Sequence, residues 1–162
     1  MPNFIILSAE LSDIPNLLDM IRELADYEHM LDAVVADPEE MADWMFLRRV
    51  AECLIAEEDG TPVGMALFFH NYSTWLGKAG IYLEDLYVRP AYRGRGYGKA
   101  LLCRLAALTV ERRCGRLEWA CLDWNTPAIG FYRALGAVPM DEWTTYRLTG
   151  EGLTALAGED RL

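Results

Sequence analysis

Seven residues, Arg93-Gly94-Arg95-Gly96-Tyr97-Gly98-Lys99, constrain this chain more than any other stretch. They sit between a strand-like run, Tyr82 to Val88, and a helix-like run, Gly98 to Arg113, whose Leu101, Leu102, Leu105 and Leu108 form one stripe. Three glycines let backbone N–H groups approach a ligand closely, and the start of a helix adds a dipole that favours negative charge. The loop therefore reads as an anion site. A dinucleotide G-x-G-x-x-G beginning at Gly94 requires glycine where Lys99 stands. A P-loop ending at Gly98-Lys99 requires glycine at Arg93 and a hydroxyl residue at Ala100. Both fail, and the spacing that fits is R-x-x-G-x-G over Arg93, Gly96 and Gly98.

The rest of the chain supplies strands and helices around that loop. Phe4 to Leu7 reads as a strand. Ser12 is the expected cap of a helix carrying Ile14, Leu17, Leu18, Ile21 and Leu24 on one face, with Pro15 in its first turn. Asp37-Pro38-Glu39-Glu40 has the order of a capping box and opens a second helix. Leu54 to Ala56 and Val63 to Phe69 are strands about a hairpin turn, Asp59-Gly60-Thr61-Pro62. Leu117 to Leu122 is a strand, Pro127 to Leu135 a helix stopped by Gly136, and Thr144 to Thr149 a last strand. The order β-α-α-β-β-β-α-β-α-β predicts an α/β (α+β) chain, one domain over residues 1–162, with a mixed sheet and helices on its faces.

Charge narrows the partners. The formal net charge is −10, with 25 acidic and 15 basic residues. Nucleic acid and anionic membranes need a basic surface, so neither is the expected partner. Residues 1–60 carry 15 acids against 3 bases, whereas Leu86 to Val110 holds five bases and no acid. Two ligands of opposite sign are expected, an anion at the basic stretch and a cation elsewhere. Four scattered cysteines and two distant histidines give no metal spacing, and Cys121 reads as core filler. The first residues lack a signal-peptide pattern, and no apolar run approaches a membrane span, so a cytoplasmic protein with reduced cysteines is expected.

With Glu84-Asp85-Leu86-Tyr87-Val88 ahead of it, Arg93-x-x-Gly96-x-Gly98 resembles the acetyl-CoA signature of the GCN5-related N-acetyltransferases (GNAT). The resemblance runs from about Phe4 to Leu148. Leu24-Ala25-Asp26-Tyr27-Glu28, Tyr72 to Lys78, Leu122-Asp123-Trp124-Asn125 and Phe131-Tyr132 are similar to the spermidine/spermine (diamine) and thialysine acetyltransferase branch. It implies a mostly antiparallel central sheet with helices on both faces, acetyl-CoA as co-substrate, no metal, and a homodimer. It also implies that backbone groups of Leu86, Tyr87 and Val88 pair with the pantetheine arm. Arg93, Gly94, Arg95, Gly96, Tyr97, Gly98 and Lys99 would hold the pyrophosphate, and Asn125, Thr126, Pro127 and Ala128 would border the coenzyme's other side. Tyr132 matches the acid that protonates the departing thiolate, and Glu84 the acceptor of the amine proton. Tyr27, Glu28, Trp75, Glu84 and Asp85 lie where that branch surrounds its amine. The acid that the polyamine branch uses near its last strand has no clear match here, Glu142 being the one candidate.

The chemistry is coherent on its own terms. An alkyl amine has a pKa of about 10, so it arrives as ammonium and must lose a proton before it attacks a thioester. A carboxylate at a strand end is a reasonable acceptor, directly or through one water. No cysteine is visibly paired with a histidine as nucleophile and base, so direct attack in a ternary complex is favoured over an acyl-enzyme. Two other readings stay open: a CoA-binding regulatory protein without turnover, and an acetyltransferase of protein lysines or N-termini.

Overall fold

The computed structural model describes residues 1–162, which divide into two compact units, Met1–Ala120 and Cys121–Leu162. The first unit is built on a five-stranded sheet in the order β1-β2-β3-β4-β5. Its strands are β1 (Phe4–Ser8), β2 (Glu52–Glu58), β3 (Thr61–Ser73), β4 (Lys78–Val88) and β5 (Leu117–Trp119). The first three pairings are antiparallel and β4–β5 is parallel. The parallel pair needs a crossover, which α3 (Tyr97–Glu111) provides.

Turn chemistry fixes the hairpins. Asp59 and Gly60 both take positive φ, 50° and 80°, as a two-residue turn between paired Glu58 and Thr61 requires. Cys53 to Ala56 are buried without alternation, because helices cover both faces of β2. On one face, Ile14, Leu17 and Met20 of α1 (Ile14–Tyr27) pack with Cys53, Ile55, Met65 and Tyr87. On the other, Arg112 at the end of α3 stacks over Phe68 and pairs with Glu52 at 2.7 Å.

Helix α1 begins at Ile14 with Asp13, not Ser12, as its N-cap. Leu11 to Asp13 form a short 3-10 turn in which Glu10 and Asp13 cap each other reciprocally. Asp37 does cap α2 (Pro38–Ala42), accepting from the Glu40 amide at 3.1 Å. That helix runs on as a wider π-type turn over Asp43–Leu47.

In the second unit, α4 (Thr126–Ala134) is capped by Asn125, whose side chain accepts from the Ala128 amide at 3.4 Å. It ends ahead of Gly136, at φ 88°. The expected last strand, Thr144 to Thr149, is not formed, and a helix, α5 (Gly150–Ala157), follows instead. Strand propensity is expressed only against a neighbouring edge, and this segment has none in its unit. The sheet is otherwise the mixed, mostly antiparallel one expected.

Candidate active site

The ladder between β3 and β4 slips once. Leu67 pairs with Asp85 and Phe68 with Leu83, so Glu84 is the extra residue of a β-bulge. Paired residues share a face, which sends Leu83 with Phe68 toward α3 and Asp85 with Leu67 toward α1. The slip thus turns Asp85 inward while Glu84 stays exposed. Burial, helped by the charges of Glu84 and Glu28, pushes the Asp85 carboxyl up to about 6. Glu28, at the C-terminal cap of α1, is also raised by burial. The last turn of α1 carries no base, so its dipole adds to the negative field. The charges of Glu84 and Glu28 both reach Asp85 here, and a cation is the natural counterpart of that field.

The same bulge shapes the other side of β4. Strand β5 follows β4 only as far as the Leu83–Trp119 pair, and its expected extension to Leu122 is not formed. A parallel partner cannot follow a strand through an extra residue without losing register. Within the first unit no strand pairs with the β4 edge from Glu84 to Val88 beyond β5, the geometry an extended ligand needs to add as a strand. Leu86, Tyr87 and Val88 lie on this stretch, paired on their other side with Ala66, Met65 and Gly64. A Cβ on Gly64 would meet the Tyr87 carbonyl oxygen at 2.8 Å, so glycine permits that approach.

Past β4, Arg93 donates from Nε to the Val88 carbonyl at 2.8 Å. Its guanidinium lies 5.4 Å from the ring centre of Tyr27 and 5.5 Å from that of Tyr87. Tyr27 is thereby placed beside the glycine loop as well as next to Glu28. Gly94 and Gly96 take φ 78° and 82°, and a Cβ on either would meet nothing within 4 Å. They serve backbone conformation and leave open space beside the loop. Gly96 is the N-cap of α3 and offers no side-chain cap, so the helix's first amides remain for an anion. Gly98 and Lys99 fall in that first turn, with Lys99 exposed. These features fit a pyrophosphate.

Two residues of the loop are otherwise engaged. Arg95 pairs with Glu58 at 2.7 Å, and the Tyr97 hydroxyl donates to the same carboxylate. Tyr97 is buried and stacks on Phe4, ring centres 4.0 Å apart. Both side chains tie the loop to β1 and β2. Trp75 lies in the β3–β4 turn, 81% exposed. Six residues of strand, roughly 20 Å at ~3.3 Å each, separate Lys78 at the end of that turn from Glu84. Within one chain Trp75 is not brought to the acids. Asn125, Thr126, Pro127, Ala128 and Tyr132 belong to the second unit, where they form the cap and body of α4. The rings of Phe131 and Tyr132 lie 5.5 Å apart.

Residues 17–137 match the model of the acetyltransferase (GNAT) family. The chain belongs to the GNAT family. It is 39% identical over 163 residues to a bovine thialysine N-epsilon-acetyltransferase, covering 93% of this chain and 95% of that one. Identity to the human spermidine/spermine N(1)-acetyltransferase-like protein 1 is 33%, over 99% of this chain and 24% of that protein. An integron cassette protein of Vibrio cholerae superposes with a TM-score of 0.80 at 26% identity, covering 95% of this chain and 97% of that one. This GNAT N-acetyltransferase thus falls with the thialysine and spermidine/spermine branch.

Two contributors to the GNAT site escaped the sequence reading. Glu58 lies 37 residues before Arg95, and no local pattern links them. Arg89, read only as part of a basic stretch, pairs with Glu23 of α1 at 3.2 Å and donates to the Pro62 carbonyl at 2.9 Å. It joins α1 to the end of β4. Cys53 is buried and its thiol pushed up by burial, the state of a core residue rather than a nucleophile.

Proposed function

We propose that this GNAT enzyme transfers an acetyl group from acetyl-CoA to the primary amine of a small polycationic substrate: a polyamine, a diamine or a thialysine/lysine-like amino acid. The observation that carries this reading is the bulge at Glu84. It puts an inward acid, Asp85, beside Glu28 on one face of β4 and leaves an open strand edge leading to the glycine loop. Bound acetyl-CoA supplies the thioester whose acetyl group is transferred.

Each residue then has a physical task. Amides from Gly94 to Lys99 hold the pyrophosphate, and the backbone of Leu86, Tyr87 and Val88 aligns the pantetheine arm. Asp85 and Glu28 attract the ammonium. Glu84, exposed and next to water, takes the proton that the amine must lose. Backbone N–H groups near Val88 stabilise the developing oxyanion. By the branch resemblance Tyr132 protonates the leaving thiolate, Asn125 to Ala128 border the coenzyme, and Tyr27 helps to enclose the amine, which Trp75 could do only across the interface of a homodimer. The same resemblance supports a homodimer. By that resemblance no metal is required. The cytoplasm is the expected setting; no helix is long and apolar enough to cross a membrane.

Release of free CoA from acetyl-CoA across polyamines, diamines and diamino acids tests the proposal. Turnover is expected in EDTA, and Tyr132→Phe should lower kcat about 10²–10⁴-fold with little change in acetyl-CoA affinity. Binding of acetyl-CoA without release on any amine would instead point to a regulatory protein.

A further inference from the structure

Between α1, α2 and β3 lies an open, mainly apolar hollow of about 290 Å³. Ile21, Met41, Trp44 and Leu67 supply its apolar walls, and Asp37 and Glu40 are also in its lining. Leu67 is the direct cross-strand partner of Asp85, so the hollow starts beside the inward acid of the amine site. From Ile21, two turns along the same side of α1 lead to Glu28, about 10 Å away by helical rise. Carboxyls therefore stand at both sides of an apolar stretch, and none of its lining residues is basic. Arg48, stacked 4.3 Å over the Trp44 ring, is neutralised by Asp43 at 2.7 Å. A ligand matching this pattern is cationic at two ends and apolar between them.

We infer that the hollow holds the methylene stem of an α,ω-diamine. The amine to be acetylated lies at Asp85 and Glu84, and the distal ammonium lies at Glu40 and Asp37. This rests on the amine-acetyltransferase reading above and makes Trp44, Met41 and Glu40 determinants of substrate length. Monoamines of growing length gain from the apolar wall alone, and diamines gain from the far carboxyls as well.

The test measures kcat/KM by free-CoA release for n-alkylamines from ethylamine to octylamine and for the matching diamines. Wild type, Trp44→Ala and Glu40→Gln are compared, with light scattering on each. In wild type kcat/KM should climb about threefold to fourfold per methylene until the hollow is filled. Trp44→Ala should cut the octylamine-to-ethylamine ratio roughly tenfold. Glu40→Gln should leave that ratio in place and lower the preference for long diamines over long monoamines about threefold. A flat length series in wild type, or one common factor for all amines in Trp44→Ala, would overturn the stem site while leaving amine acetylation standing. A changed oligomeric state in Trp44→Ala with the length series intact would assign the hollow to a second copy of the chain. No release on any amine would remove the acetyltransferase reading itself.

Discussion

Burying Asp85 against Glu84 and Glu28 sets its carboxyl near pH 6, well above the ordinary value of 3.8. The folded chain therefore prefers the protonated acid, and the stability this contributes is full below about pH 4 and lost as pH rises through 6. At neutral pH the ionised Asp85 costs the fold about 3 kcal/mol, at roughly 1.4 kcal/mol per pKa unit. A bound ammonium offsets that cost, which links stability to substrate binding. Asp85→Asn should raise Tm at pH 8, leave it nearly unchanged at pH 4, and lower kcat/KM for diamines. Thermal melts at the two pH values check this. The same Tm change at both would mean that Asp85 ionises without strain and that its inward turn at the bulge has no electrostatic consequence.

At the level of elements, the glycine loop is held from behind. Glu58 at the end of β2 accepts from both Arg95 and Tyr97, and those two bonds hold its carboxyl below the usual range. It is a positioning residue for the amides at the start of α3. Glu58→Ala should raise the KM for acetyl-CoA about tenfold while kcat stays within about twofold, and Glu58→Gln should restore part of the loss. A fall in kcat with KM unchanged would show that the loop does not depend on this clamp. The loop itself was legible in the sequence, because glycine spacing and a leucine stripe are local signals. Its clamp was not, since Glu58 and Arg95 meet only through the sheet. Likewise Glu84 and Asp85 could be named, but their opposite burial could not: it comes from a register slip that no local pattern encodes. Helix α5 was missed because Gly150 and Gly152 speak against a helix, and the Thr144 to Thr149 strand was expected because propensity ignores whether an edge is available.

That missing edge bears on the whole molecule. Val138 is 76% exposed, Tyr146 93% and Leu148 48%, all in one short segment of the second unit. Exposed apolar side chains gathered in one segment mark a contact surface, and the proposed homodimer would bury them. Each copy carries a net charge of −10, so two copies repel over the Debye length of roughly 8–10 Å, and apolar burial must overcome that repulsion. Salt should therefore act in opposite senses on the two proposals. Screening removes the repulsion, so light scattering at micromolar protein should give a full dimer mass at high salt, with any dissociation confined to low salt. The same salt weakens attraction between a diamine's second ammonium and the far carboxyls, Glu40 and Asp37, so a diamine's advantage over its monoamine should shrink from about tenfold toward unity. Val138→Glu with Tyr146→Glu should yield a monomer. A monomer mass for the unmodified chain would refute the dimer, and a salt-independent diamine advantage would refute electrostatic selection of the second ammonium.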